Sequence, residues 1–197
     1  MIPENYAVLG ALVASLGGFY YLYETIKGTA KPNRVTWLLW AIFPMITFFA
    51  QQSNGVGLIS WVSFVSGFTP ILVLIASFFN KKAYWKTTNI DYACLVAAIV
   101  GISLWAITDN ANLAILFSII ADLFAAAPTL IKSFKYPESE SWIAYGLSTI
   151  GFTFSIFTVQ AWTFDNYAFI IYLALVNGAM AVLSFRKTSP STLFTKP

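Results

Sequence analysis

The distribution of basic residues constrains this chain more than any other feature. The eleven are Lys27, Lys31, Arg34, Lys81, Lys82, Lys86, Lys132, Lys135, Arg186, Lys187 and Lys196. Between these clusters run apolar stretches, and a bilayer core of about 30 Å takes about 20 apolar residues in a helix. The stretches read as seven spans at 6–26, 35–50, 57–79, 92–108, 113–131, 142–159 and 166–185. With that count every basic residue lies in or beside the first, third or fifth loop or in the C-terminal tail. None lies in the second, fourth or sixth. One span more or fewer would scatter them over both sides. Lys and Arg concentrate in cytoplasmic loops, so the expected arrangement has the N-terminus outside and the C-terminus inside, in the cell membrane.

Composition agrees with this reading. Hydrophobic residues make up 58% of the 197 and charged residues 10%, against about 25% charged in a soluble domain. The net charge of +3 then reports loop placement rather than affinity for nucleic acid. Histidine is absent, which removes the commonest metal ligand and the commonest general base. Cys94, the single cysteine, has no intramolecular partner. No nucleotide-binding loop or nucleophile–base pair is visible, so the expectation is a non-enzyme without cofactor or metal. The opening "MIPENY" lacks the basic region of a cleavable signal peptide. A retinal Schiff base would need a lysine deep in the last span, and every lysine lies at a span edge.

The loops also repeat. "KPNRVTW" at 31–37 and "YPESESW" at 136–142 each place a Trp five residues after a Pro. Pro32 and Pro137 are 105 apart (137 − 32), as are Trp37 and Trp142 (142 − 37). The same offset pairs Ile26 with Ile131, Lys27 with Lys132, Thr36 with Ser141 and Trp40 with Tyr145. Ser66 and Asn177 pair at an offset of 111 (177 − 66), which requires a six-residue length change before the third member. The expected architecture is all-α with seven transmembrane helices in a 3+1+3 arrangement. Residues 1–80 form the first three-helix repeat, 81–111 a linker helix, 112–187 the second repeat and 188–197 a cytoplasmic tail. Four crossings separate the starts of the two repeats, so both enter from outside as parallel repeats. Their axis lies along the membrane normal, with a site expected between them near the midplane.

The stretch "APTLIKSFKYPESESW" at 127–142 and this topology resemble the SWEET sugar transporters and the wider PQ-loop group. In that group a Pro-Gln pair ends the first helix of each repeat. Pro128 stands at the Pro with Thr129 at the Gln, and Tyr23 and Glu24 occupy the first-repeat positions. "VNG" at 176–178 resembles the Asn-containing stretch of the seventh helix, and the resemblance implies that Asn177 lines a sugar pocket, with Ser66 as its counterpart in the third. Of the family's four helix prolines, Pro44 and Pro128 match and are expected hinges, with Tyr23 and Thr149 at the other two positions. "WLLWAIFP" at 37–44 resembles in part the Trp-x-x-Trp-x-x-x-Asn/Asp motif of the PnuC vitamin transporters, with Pro44 at the last position.

Candidate working residues are the polar and aromatic groups within the spans. Asp122 sits mid-span, where a carboxylate costs at least ~2.5–3.5 kcal/mol if it faces lipid. It should face the bundle interior, as a proton carrier or substrate partner or as a structural hydrogen-bonding group. Asn177 offers two donors and an acceptor, for solute hydroxyls or for an interhelical bond. Ser66 is its weaker companion. Trp40 and Tyr145 can stack on a flat solute, and with Trp37 and Trp142 they can equally form an interfacial belt. Glu24 near the end of the first span is a second candidate for proton coupling, with Lys27 or a basic loop residue as its expected partner. Gln51 and Gln160 fall where an outer gate would stand. Pro70 is a third point of bending, and Gly10, Ala14 and Gly18 form a small-residue face for close helix packing.

The expected function is transport of a small neutral polar solute, a sugar first, by alternating access and with proton coupling open. The alternatives are a receptor or sorting protein presenting Lys81, Lys82 and Lys86 to a partner, and a PnuC-like vitamin or nucleoside transporter. The expected partners are the solute, the lipid bilayer and further copies of the chain.

Overall fold

The computed structural model describes residues 2–80, 82, 83, 85–106 and 110–186. Lys81, Thr108, Lys187, Lys196 and the expected tail at 188–197 lie outside the described residues. Seven α-helices follow one another, and the described residues contain no strand: α1 (Ala7–Lys27), α2 (Arg34–Ser53), α3 (Ser60–Phe79), α4 (Asn89–Ala106), α5 (Ala111–Lys135), α6 (Trp142–Ile156) and α7 (Phe164–Phe185). Each lies on one of the seven spans read from the sequence. Among the described residues five are long and apolar enough to cross a membrane: α1 with the 3-10 turn before it, α2, α3, α5 and α7. The sixth, α6, is a shorter apolar helix. Leu12, Leu16, Phe49, Phe79, Leu175 and Val182 are more than half exposed, an outer surface suited to lipid rather than water. The architecture is compatible with a helical membrane protein.

Local chemistry sets the helix ends. Asn33 caps α2, its Oδ1 accepting from the Val35 and Thr36 amides at 3.1 and 3.4 Å. Ser141 caps α6 through the Ala144 amide at 3.3 Å. These caps satisfy amide donors that a helix start leaves without partners. At the end of α1, Gly28 adopts φ 79°, a left-handed turn that glycine takes without steric cost.

Six helices close into a ring in the order α1, α3, α2, α5, α7, α6 and back to α1, with α4 outside it against α5 and the flank of α2. Exchanging α1 with α5, α2 with α6 and α3 with α7 reproduces the same ring order. The buried positions follow that exchange. The caps Asn33 and Ser141 are 108 apart (141 − 33). Adding 108 to the buried Thr36, Trp37, Phe43, Pro44, Thr47 and Gln51 gives Ala144, Tyr145, Gly151, Phe152, Ser155 and Val159, all buried. The same step carries Ala7, Gly10, Ala14, Gly17, Tyr21 and Thr25 onto Ile115, Ser118, Asp122, Ala125, Thr129 and Ser133, again all buried. For α3 and α7 the step is 107: Val62, Ser63, Gly67, Thr69, Val73 and Ser77 fall on Phe169, Ile170, Ala174, Val176, Met180 and Ser184.

These steps differ from the spacing of the loop residues. Trp37 is the fourth residue of α2, whereas Trp142 is the first of α6. In packing, Trp37 corresponds to Tyr145, Trp40 to Ser148, Pro44 to Phe152 and Pro70 to Asn177. The helices therefore need a length change of one residue before the third member, not six. Leu39 and Ala41 are buried where Leu147 and Thr149 are only half-buried. Leu39 and Phe43 form a small core with Ala121 and Ala125, against which Leu95 of α4 packs.

Candidate functional site

Two larger apolar cores fill the ring. One gathers Ala7, Val62, Ile115, Phe169 and Ile170 near the second and sixth loops. The other gathers Tyr21, Trp37, Val73, Tyr145 and Met180 toward the basic loops. A cavity of about 60 Å³ draws its walls from both and from all six ring helices. At roughly 10–15 Å³ per water, that is room for a few waters. Asp122, Asn177, Ser66, Trp40 and Tyr145, the five residues expected to touch a solute, all line it, as do Pro44 and Pro70. Trp37, read as part of an interfacial belt, is 4% exposed and lines the same cavity. Trp142 does not: its ring meets Phe185 edge-on at 5.1 Å.

Asp122 is 1% exposed. Its Oδ2 accepts from the Tyr172 hydroxyl at 2.6 Å, while Oδ1 is buried without a hydrogen-bond partner. Tyr172, a residue the sequence did not single out, is thus the fixed side of the site. Asn177 donates to the Leu173 carbonyl one turn back at 2.9 Å. Ser66 donates to the Val62 carbonyl at 2.8 Å. The Trp37 indole N–H is buried and without a partner.

At the basic-loop end the cavity is floored by a network that sequence reasoning missed. Glu140 is 1% exposed. Its Oε1 lies 2.6 Å from the Lys132 ammonium, and its Oε2 accepts from the Tyr21 and Tyr145 hydroxyls, each at 2.8 Å. Lys132 also donates to the Lys31 carbonyl and lies 4.5 Å above the Trp85 ring. The Lys31 amide in turn donates to the Ser139 carbonyl at 3.1 Å, so the two similar loops are bonded to each other. Aromatic packing completes the floor, with Tyr21 centred 4.4 Å from Trp37 and 5.7 Å from Tyr145.

Toward the second and sixth loops a second network centres on Gln51, which is fully buried. Its amide donates to the Asp165 carbonyl at 2.8 Å and accepts from Ser63 at 2.7 Å. Asn54 reaches the Asp165 carboxylate at 3.2 Å. Gln160 bonds instead to the Ile2 and Thr158 carbonyls at 2.7 and 2.9 Å and lies outside this network.

Other candidates lie apart. Glu24 does not line the cavity, and its Oε2 is buried without a partner. The expected Glu24–Lys27 pair is not formed, because Lys27 turns over the Tyr23 ring at 4.3 Å. Pro128 is buried within α5, away from the cavity lining. Lys82 and Lys86 are exposed. Asp91 is buried at the start of α4, where it accepts from Thr88 and from Asn33, tying α4 to the first loop. The chain matches no protein-family model, no curated protein and no solved structure.

Proposed function

We propose that this chain is a small transporter of seven membrane spans, N-terminus outside, working by alternating access around the six-helix cavity. The helix order and the steps of 108 and 107 support reading it as two parallel three-helix repeats with α4 as linker. The repeat axis then runs along the membrane normal and passes through the cavity near mid-membrane, where repeat-built transporters hold their solutes. The SWEET and PQ-loop resemblance makes a sugar the first solute to test.

The observation that carries the reading is Asp122, buried among the ring helices as part of the cavity lining, with one oxygen outside its hydrogen bond to Tyr172. The networks toward the two ends of the bundle join its two halves. Opening one end requires breaking the contacts of Glu140 with Tyr21 and Lys132 with Lys31, which join the two halves. Opening the other requires breaking the contact of Gln51 with Asp165. Pro44 and Pro70 line the cavity and each removes a backbone hydrogen bond from its helix, giving bending points next to the solute. Asp122 is also the group for proton coupling. Tyr172 is its titratable contact, Tyr21 and Tyr145 share the cavity, and no lysine or arginine lines it among the described residues.

The test is uptake of labelled sugars and other small polar solutes into proteoliposomes, with and without a pH gradient, for the wild-type chain and Asp122→Asn. Saturable uptake that Asp122→Asn abolishes or uncouples from the gradient is the expected result. Wild-type vesicles no more permeable than empty ones to every solute tried would sink the transporter reading.

A further inference from the structure

The cavity also bears on the charge of its solute. Recognition of a neutral sugar needs several free donors and acceptors converging on its hydroxyls, yet most of the polar groups here are committed within the protein. Ser66 donates to Val62 and Asn177 to Leu173. The hydroxyls of Tyr21 and Tyr145 both donate to Glu140. The largest unmet acceptor capacity belongs to Asp122, whose carboxylate has about four lone-pair sites, with the Tyr172 hydroxyl donating to one oxygen and the Trp40 side chain close by. The nearest buried cation, Lys132, is taken by Glu140, the Lys31 carbonyl and the Trp85 ring. Around the carboxylate the walls are aromatic: Tyr21, Trp37, Trp40, Tyr145 and Phe152 all line the cavity. Aromatic faces attract cations, most strongly where water is excluded.

We infer that the solute is a small organic ammonium ion, held by the Asp122 carboxylate within the aromatic walls. The unpartnered Trp37 indole N–H adds one donor, which suits an oxygen acceptor on the same ligand. A quaternary ammonium alcohol such as choline meets both requirements, and tetramethylammonium meets the first alone. This inference rests on the transporter reading and narrows its solute away from sugars.

The purified full chain in detergent is titrated with choline, tetramethylammonium and glucose, following quenching of tryptophan fluorescence and, in parallel, binding heat. Labelled choline and labelled glucose are then offered to proteoliposomes. Choline is expected to bind saturably, tetramethylammonium several-fold more weakly and glucose not at all. Asp122→Asn should weaken choline at least tenfold, Asp122→Glu should retain part of the affinity, and Trp37→Phe should reduce the preference for choline over tetramethylammonium. A melting curve establishes that each variant is folded. Glucose bound or taken up while choline is not overturns the inference and leaves the transporter reading standing. Unchanged choline affinity in folded Asp122→Asn, or no binding of either cation, also overturns it. Choline binding without uptake of any solute supports the cationic site and removes transport.

Discussion

The two halves of the ring bury many of the same positions and place different chemistry on them. Their helix crossings make this plain. Where α1 meets α6, Gly17 stands directly against the Ala144 carbonyl and the Ser148 hydroxyl, and Gly151 against the backbone of Gly10 and Ala14. Glycine is required there because the backbones leave no room for a methyl group. The equivalent meeting of α2 and α5 carries Thr36, Phe43 and Ala125 in place of Ala144, Gly151 and Gly17. That crossing is bridged by the Thr36 hydroxyl donating to the Ala125 carbonyl at 2.9 Å, with Thr129 donating to Thr36 at 3.2 Å. The first crossing removes side chains to bring the backbones together, with the Ser148 hydroxyl donating to the Ala14 carbonyl at 3.3 Å; the second keeps its side chains and is bridged by threonine hydroxyls. The cavity shows the same division. Asp122 corresponds to Ala14, Asn177 to Pro70 and Leu173 to Ser66. Where the two halves match in burial, it is their departures in residue type that give the cavity its polar chemistry.

The buried ion pair gives the most severe test of this asymmetry, since Lys132 and Glu140 correspond to Glu24 and Pro32, which form no such pair. Glu140→Gln leaves Lys132 buried and unpaired and should cost about 3–5 kcal/mol, read from unfolding in detergent. Lys132→Met with Glu140→Leu should recover most of that. A double variant as unstable as the single would show that the pair is not the unit of stability. Next comes the glycine crossing. Gly17→Ala forces the Ala144 carbonyl aside and should cost about 1–3 kcal/mol. Ala125→Gly, its counterpart, should cost only about 0.5–1 kcal/mol. Equal losses at the two sites would break the distinction between the crossings. Asn177→Leu removes the second N–H and the Oδ1 that Asn177 keeps beyond its bond to Leu173 and should weaken solute affinity about tenfold, one hydrogen bond's worth, measured as half-saturation of uptake. The smallest effect belongs to Thr36→Val, about 0.6 kcal/mol for an interhelical hydrogen bond in a membrane, resolved by comparing melting curves.

Much of this was legible in the sequence, for physical reasons that also explain the misses. The seven helices stood out because apolar runs interrupted by charge have few other readings. Asp122, Asn177, Ser66, Trp40 and Tyr145 converged on one cavity because polar and ring-bearing residues deep in apolar helices have little reason to face outward. The internal register was misread by three residues. The Pro and Trp of the two loops are 105 apart, yet the caps that start the helices are Asn33 and Ser141, 108 apart. A shift close to one helical turn preserves which face a residue occupies, so periodicity could not expose it. Lys132 was read only as a charge in or beside the fifth loop and Glu140 was not singled out, since sequence spacing does not show that α5 continues to Lys135 and carries Lys132 inward. Tyr172 was one tyrosine among ten, with nothing local to mark it as the partner of Asp122.

The glycine crossing also sets a clock on assembly. The first residue of α6 comes 115 positions after the last of α1 (142 − 27). At roughly 5–20 residues per second of synthesis, α1 waits about 6–23 s before the helix shaped to receive it exists. Throughout that interval its backbone-exposing face has only α3 as a ring neighbour. A ribosome stalled after α5 would therefore present the cell with a ring open along this seam, a distinct target for membrane quality control.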